Sequence, residues 1–235
     1  MPKVLVIKNI TREGSRIIDH ILQEDQIEVD HRDLDRGDEF PSPRGYDAVI
    51  VLGGPDSAND ETEKMQKERR RVKEVLDANI PYLGICLGLQ VVVKVAGGKV
   101  VKNPVKEIGF IDPEGNPFKV ELTEEGKHDP FFQGLPHSLR VFQLHGETVE
   151  ITPKMKLLAT GKFCKNQVVK VAERAYGTQC HFEFTRDIFT RCIDEDPDLQ
   201  KLNKEELIKE FDAIHNDYMQ VGRTIVKNFL KIAGL

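Results

Sequence analysis

The 235-residue sequence contains no tryptophan and only four cysteines. None of the cysteines forms a C-x-x-C pair, which argues against zinc-ribbon and thioredoxin-type proteins. Disulfide bonds are also rare in the reducing compartment that we predict for this chain. Each cysteine is therefore expected to be either a packing residue or a nucleophile. The four positions are Cys86, Cys164, Cys180 and Cys192.

The sequence also has no apolar run of 18 residues, which a transmembrane helix needs. Its N-terminus, "MPKVLVIKNI", leads straight into a strand pattern and lacks the longer apolar region and cleavage site of a signal peptide. The formal net charge of −5 argues against a nucleic-acid-binding surface. We therefore predict a cytoplasmic protein with neither a membrane nor a nucleic-acid partner.

Strand and helix patterns alternate over the first hundred residues. The strand patterns cover residues 3–10, 27–34, 46–54 and 80–85. The helix patterns cover residues 13–25, 61–78 and 87–98. This alternation predicts βαβ units in a doubly wound sheet. The near-continuous apolar run "YDAVIVLGG" is typical of a parallel strand buried on both faces.

The pattern changes after residue 99. Residues 99–184 are mostly strand-like, and the last 50 residues are helical and highly charged. We predict an α/β fold with a doubly wound, mostly parallel central sheet flanked by helices, flavodoxin-like, with a β-rich second half and a helical C-terminal extension. No repeat or linker divides the chain, so residues 1–235 are interpreted as one domain. Its core is placed at about 3–185 and the extension at about 186–235.

The extension carries an apolar stripe at helical spacing, which indicates that one face packs against something. Two interpretations are open: the stripe covers the chain's own domain, or it helps to form a docking surface for another protein. The stripe consists of Leu207, Phe211, Ile214 and Tyr218.

One pentapeptide, "GICLG" at residues 84–88, has the form of a nucleophile elbow with cysteine in place of serine. The elbow joins a buried strand to a helix, at the sheet edge where α/β proteins bind ligands. Its flanking glycines permit a tight turn, and the helix N-terminus favours a thiolate. The alternative is a buried cysteine that acts as a small hydrophobic residue. We predict that Cys86 is a nucleophile.

A cysteine nucleophile needs a histidine base that a third group orients. In "YGTQCHFEFT", period-2 alternation places Gln179, His181 and Glu183 on one face of a strand, so His181 and Glu183 can interact. Five other histidines are assigned to surface or capping positions. They are His20, His31, His128, His137 and His215.

Four motifs occur in the order and spacing of a known family. They are "VLGGPDS" (51–57), "GICLGLQ" (84–90), "FQLHGETV" (142–149) and "GTQCHFEF" (177–184). Over residues 3–185 the chain resembles the class I, or triad, glutamine amidotransferases. Within that family it is most similar to the glutaminase half of GMP synthetase and its free-standing relatives. Phe182 and Cys180 stand where the family usually has proline and phenylalanine, respectively.

The resemblance implies a role for each motif. The catalytic residues would be the nucleophile Cys86, the general base and acid His181, and the orienting carboxylate Glu183. The oxyanion hole would use the backbone N–H groups of Gly54 and Leu87. The substrate-binding residues would be Gln90, Leu144 and His145, with His145 outside the triad.

The reaction implied is hydrolysis of the glutamine side-chain amide to glutamate and ammonia, through a γ-glutamyl thioester and without a metal or organic cofactor. No ATP-binding module is recognised, so a separate ATP-dependent synthase is the expected acceptor of the ammonia. A γ-glutamyl peptide or conjugate hydrolase is the main alternative. A degenerate binding module and a redox or stress protein also stay open. A pyrophosphate-binding loop at "GGPDS" is a further alternative, although Leu52 replaces its leading serine.

Overall fold

The alternating apolar segments form eleven strands and six α-helices in a computed structural model that describes residues 1–235. The helices are α1 Arg16–Glu24, α2 Glu63–Asp77, α3 Leu87–Val95, α4 Glu124–His128, α5 Arg186–Glu195 and α6 Lys204–Ala233. The first strands are β1 Lys3–Lys8, β2 Glu28–Asp33, β3 Ala48–Val51, β4 Tyr82–Ile85 and β5 Lys99–Gly109. The others are β6 Lys119–Leu122, β7 Ser138–Arg140, β8 Gln143–Glu150, β9 Lys156–Gly161, β10 Val168–Ala172 and β11 Ala175–Thr178.

Nine of the strands form one sheet in the order β2-β1-β3-β4-β11-β10-β9-β6-β7. The five strands from β2 to β11 run parallel, and β10, β9, β6 and β7 continue the sheet antiparallel. Strands β5 and β8 pair separately as an antiparallel ribbon. The predicted doubly wound α/β fold with a β-rich second half is confirmed.

Helices cover both faces of the inner parallel strands, which explains why β1, β3 and β4 are apolar without alternation. On one face, Ile17 of α1 and Phe229 of α6 belong to a cluster of 31 buried residues. On the other face, Met65 of α2 and Leu89 of α3 belong to a cluster of 21. The carboxyl ends of β3, β4 and β11 therefore meet at one edge, between two helical layers.

The apolar stripe of the C-terminal extension packs inside the chain. Its four residues are buried against Phe110, Phe142 and Phe189 in a third cluster, beside the loops that flank β5 and β8. The same helix later passes close to the sheet, where a Cβ added to Gly222 would lie only 2.2 Å from the carbonyl oxygen of Phe182. None of the helices combines the length and the apolar character needed to cross a membrane.

The strand predicted to continue to residue 184 instead ends at Thr178. This strand pairs with β4 in parallel, and their register ends with Thr178 opposite Ile85. Beyond that point the chain leaves the sheet, and only His181 makes an isolated bridge, in which its N–H donates to the Phe142 carbonyl at 2.9 Å. Residues 179–184 are nevertheless all buried. The strand-like pattern of this segment therefore reflects its burial and not pairing within the sheet.

Glu68 of α2 is a fully buried carboxyl group beneath the sheet edge. Its Oε1 accepts a hydrogen bond from Asn9 Nδ2 at 3.0 Å, and the same amide donates to the Leu52 carbonyl at 3.2 Å. Burial raises the pKa of Glu68 to about 7, although the Asn9 bond opposes that shift. The folded state therefore favours the protonated acid.

We expect Glu68→Gln to remove a pH-dependent loss of stability. A carboxyl whose pKa rises on folding stabilises the fold below its unfolded pKa of 4.5, and that stability is lost as the pH rises through about 7. The free energy of unfolding of the wild type should thus fall between pH 5 and 8 by roughly 2–3 kcal/mol more than that of the variant. Urea denaturation at the two pH values measures this difference, and an equal fall in both proteins would show that Glu68 does not titrate in that range.

Candidate functional site

Cys86 lies in a strained turn between the end of β4 and the start of α3. Its backbone has φ 52° and ψ −105°, a conformation that residues other than glycine rarely adopt. The N–H of Cys86 donates to the Thr178 carbonyl at 2.7 Å, which ties the turn to the end of β11. Strain of this kind persists only where the surrounding structure holds it, as it often does at functional sites.

The glycines on both sides of Cys86 permit a very close approach of backbone segments. A Cβ on Gly84 would lie 2.4 Å from the carbonyl carbon of Gly88, and a Cβ on Gly88 would lie 2.2 Å from the carbonyl oxygen of Val51. Neither position tolerates a side chain without backbone movement. The spacing of the pentapeptide thus reflects the packing of α3 against β3 and β4.

His181 and Glu183 form a buried imidazole–carboxylate pair. Nδ1 of His181 lies 2.6 Å from Oε1 of Glu183, and the N–H of Phe182 donates to Oε2 of Glu183 at 2.9 Å. Because an ionised carboxylate can only accept, Nδ1 carries a proton, and in the neutral ring Nε2 is left with its lone pair. The ring also stacks on Phe184, with centroids 4.8 Å apart.

The Cys86 thiol lies against this pair. Burial lowers the pKa of His181, but the Glu183 carboxylate and the nearby Cys86 thiol raise it, and the pKa stands well above its usual value. Nε2 of His181 is buried without a hydrogen-bond partner. The structure therefore brings together Cys86, His181 and Glu183, as the sequence predicted for a nucleophile, a base and an orienting group.

Gln179 contacts the sulfur of Cys86, and the sequence did not predict this contact. Its Nε2 donates to Cys86 Sγ at 3.6 Å, and its Oε1 accepts from Gln90 Nε2 at 3.3 Å. Gln90 Nε2 also approaches the carbonyl of Glu147 at 3.4 Å. Gln179 was placed on the same face as His181, but that pattern does not specify what the side chain contacts.

The two predicted oxyanion-hole residues are neighbours. Gly54 lies at the carboxyl end of β3, where an added Cβ would be 3.4 Å from Cδ2 of Leu87. Leu87 is the first residue of α3, and N–H groups in the first turn of a helix have no partner within the helix. A Cβ on Gly53 would lie 3.4 Å from Cβ of Cys86 and 3.3 Å from Cε1 of His181. This loop therefore adjoins the thiol and the imidazole.

His145 belongs to a second buried network, separate from His181. Its Nδ1 is 3.0 Å from the Glu147 carbonyl, and its Nε2 is 2.8 Å from Oε2 of Glu107. Polar atoms of His145, Glu107 and Cys164 lie within 4.8 Å of one another, a donor set that could hold a metal ion such as Zn²⁺. Gln167 Nε2 also donates to Glu107, at 3.0 Å. Both nitrogens of His145 thus face polar partners within the chain.

A cavity of about 420 Å³ opens onto Cys86. The C-terminal extension supplies part of its wall, because Asp196 forms an ion pair of 2.6 Å with Arg12, and Asp198 forms another with Lys106. The predicted residues that line the cavity are Gly54, Cys86, Gln90, Leu144 and His145. The Leu144 carbonyl lies 3.8 Å from Cys86 Sγ.

Comparisons with known proteins show which family and which fold the chain resembles. The model of the family described as "Glutamine amidotransferase class-I" matches residues 8–192. A crystal structure of a glutamine amidotransferase from Thermotoga maritima superposes with a TM-score of 0.85 at 27% identity, covering 97% of each chain.

Two curated relatives match part of the chain. The putative glutamine amidotransferase-like protein YfeJ of Salmonella typhimurium is 30% identical over 62% of this chain and 60% of its own length. One subunit of the glutamine-hydrolysing GMP synthase of Pyrococcus abyssi is 36% identical over 57% of this chain and 65% of its own length. The matches thus span less than two thirds of these relatives.

We expect Cys86 to be alkylated faster than the other three cysteines. Burial raises the pKa of Cys164 to about 11, and burial also raises the pKa values of Cys180 and Cys192. These thiols therefore carry little thiolate at neutral pH. Native protein treated briefly with iodoacetamide should gain one adduct, which peptide mass spectrometry locates at Cys86.

Cys86→Ser is the matched control and should gain no adduct under the same conditions. Denatured wild type should gain an adduct on every cysteine. An adduct on another cysteine of the native protein, with Cys86 unmodified, would contradict the assignment.

Proposed function

Because the chain belongs to the class-I glutamine amidotransferases, we propose that it hydrolyses the side-chain amide of glutamine to glutamate and ammonia. The observation that carries this proposal is the strained elbow that holds Cys86 against the buried pair of His181 and Glu183. A thiol, a base with a free nitrogen and an orienting carboxylate are the groups that nucleophilic amide hydrolysis requires.

The first half of the reaction follows from the roles of these groups. Nε2 of His181 takes the thiol proton, and the Cys86 thiolate attacks the side-chain amide carbon of glutamine. The backbone N–H groups of Gly54 and Leu87 stabilise the oxyanion, a contribution of roughly 3 kcal/mol for one donor. His181 then returns the proton to the departing ammonia, which leaves a γ-glutamyl thioester on Cys86.

The second half reverses the proton transfers. His181 takes a proton from water, the hydroxide attacks the thioester carbonyl, and the proton returns to the sulfur as glutamate departs. Glu183 holds the Nδ1 proton throughout, so the same ring nitrogen faces the substrate in both steps. Gln90, Leu144 and His145 are proposed to hold the amino-acid end of the substrate, since they line the cavity beside Cys86.

We further propose that the ammonia passes to a separate synthase. The matched Pyrococcus protein is named as one subunit of a glutamine-hydrolysing GMP synthase. A γ-glutamyl conjugate hydrolase is the second candidate, because the cavity is large enough for a substrate bigger than glutamine. About 420 Å³ lies in the range of sites for drug-sized ligands and leaves space for a substituent on the amide nitrogen.

Substitutions in the proposed triad should differ in severity. We expect Cys86→Ala to abolish glutamate release, and His181→Ala to lower kcat by at least about 10³-fold. Glu183→Gln should keep more activity than His181→Ala, because the stacked ring stays oriented in part. His145→Ala should act mainly on KM. A kcat loss in His145→Ala as large as that in His181→Ala would show that the base has been wrongly assigned.

Activity alone and with a partner separates the candidate functions. We expect slow release of glutamate from glutamine by the purified chain, and faster release when an ATP-dependent synthase binds it, because coupled sites are completed on engagement. The measurement is glutamate formed from glutamine and from γ-glutamyl peptides. Fast hydrolysis of glutamine without a partner would contradict the coupled model, and cleavage of γ-glutamyl peptides alone would favour the hydrolase.

A further inference from the structure

Glu13 is a buried carboxyl group beside the proposed triad, in the loop between β1 and α1. Its residue surface is only 5% exposed, and it lines the same cavity as Cys86. Its Oε2 is buried and has no hydrogen-bond partner. A buried polar atom that is left unpaired costs stability, so its presence calls for a reason.

Oε2 of Glu13 lies close to the imidazole ring of His181. A Cβ placed on Gly53 would lie 2.5 Å from Oε2 of Glu13 and 3.3 Å from Cε1 of His181. Oε2 of Glu13 and Cε1 of His181 are therefore no further apart than the sum of these two distances. Gly53 lacks a side chain, so none at this position separates the carboxyl group from the imidazole.

The other charged and titratable groups around Glu13 are few. Burial raises the pKa of Glu13 to about 7, the charge of His181 lowers it and that of Glu183 raises it. Arg12 lowers it and Asp196 raises it in smaller amounts, and these two are paired with each other at 2.6 Å. Burial raises the pKa of the Cys192 thiol in α5, and the charge of Glu13 raises it further.

We propose that Glu13 is a second positioning carboxylate, which stabilises the imidazolium that His181 forms when it takes the proton of Cys86. This inference rests on the proposed role of His181. Glu183 holds the Nδ1 proton of the ring, and Glu13 acts through the electric field alone. At low local dielectric, a carboxylate at this range favours the charged ring substantially.

The proposal fixes the sign of a pH dependence. Glu13 carries its negative charge above about pH 7 and is neutral below. As the pH falls through that value, the imidazolium loses one of its two stabilising carboxylates, and kcat/KM for glutamine falls. Glu13→Gln is neutral at every pH, so the variant should resemble the wild type at low pH and fall behind it at high pH.

The test compares pH profiles of kcat/KM for glutamate release from glutamine. We expect the wild type to exceed Glu13→Gln by about tenfold at pH 8.5, the effect of one pKa unit on the imidazolium, and by less than about twofold at pH 5.5. Glu68→Gln is the matched control, because burial also raises the pKa of Glu68 to about 7 without His181 among its neighbours. Its ratio to the wild type should stay constant with pH.

Glu13→Asp keeps a titratable carboxyl group, so its kcat/KM should still fall as the pH is lowered through neutrality. A residue that only fills space would not produce this fall. A ratio of wild type to Glu13→Gln that stays constant with pH would overturn the inference, as would a variant that is faster than the wild type at pH 8.5. If His181→Ala were to keep wild-type activity, the proposed function itself would fail. If His181→Ala is inactive but the ratio of wild type to Glu13→Gln does not change with pH, only the proposed role of Glu13 is contradicted.

Discussion

The close backbone contact between the β4–α3 turn and strand β3 is the constraint on which the rest of the site depends. Gly88 lies so near the Val51 carbonyl that a single methyl group would not fit. That contact places the first turn of α3 directly at the sheet edge and holds Cys86 at its positive φ. The sulfur is thereby presented at the end of β4, and the proposed base and oxyanion loop reach it from β11 and β3.

Two buried histidines lie near Cys86, and their hydrogen bonds distinguish them. Each faces a buried carboxylate, His181 with Glu183 and His145 with Glu107. Nδ1 of His145 faces the Glu147 carbonyl and its Nε2 lies 2.8 Å from the Glu107 carboxylate, whereas only Nδ1 of His181 faces a carboxylate. The two histidines therefore differ in what their second nitrogen faces and not in burial.

The parallel half of the fold and the elbow were predictable because they depend on local patterns: apolar runs, helical spacing and glycines at fixed offsets. The end of β11 was not, because it depends on the length of its partner β4 and not on its own residues. Gln179 and Glu13 show the same limit. Their positions relative to Cys86 arise where separate loops meet, which neither the motif around Gln179 nor the sequence around Glu13 specifies.

The ion pair between Arg12 and Asp196 joins the loop after the first strand to the C-terminal extension across the mouth of the cavity. The family model matches residues only as far as 192, so Asp196 lies beyond the matched region. The wall that meets an entering ligand and the floor that carries the thiol are thus supplied by different parts of the chain. Sequence changes in the extension can alter which molecules enter while the reacting groups stay unchanged.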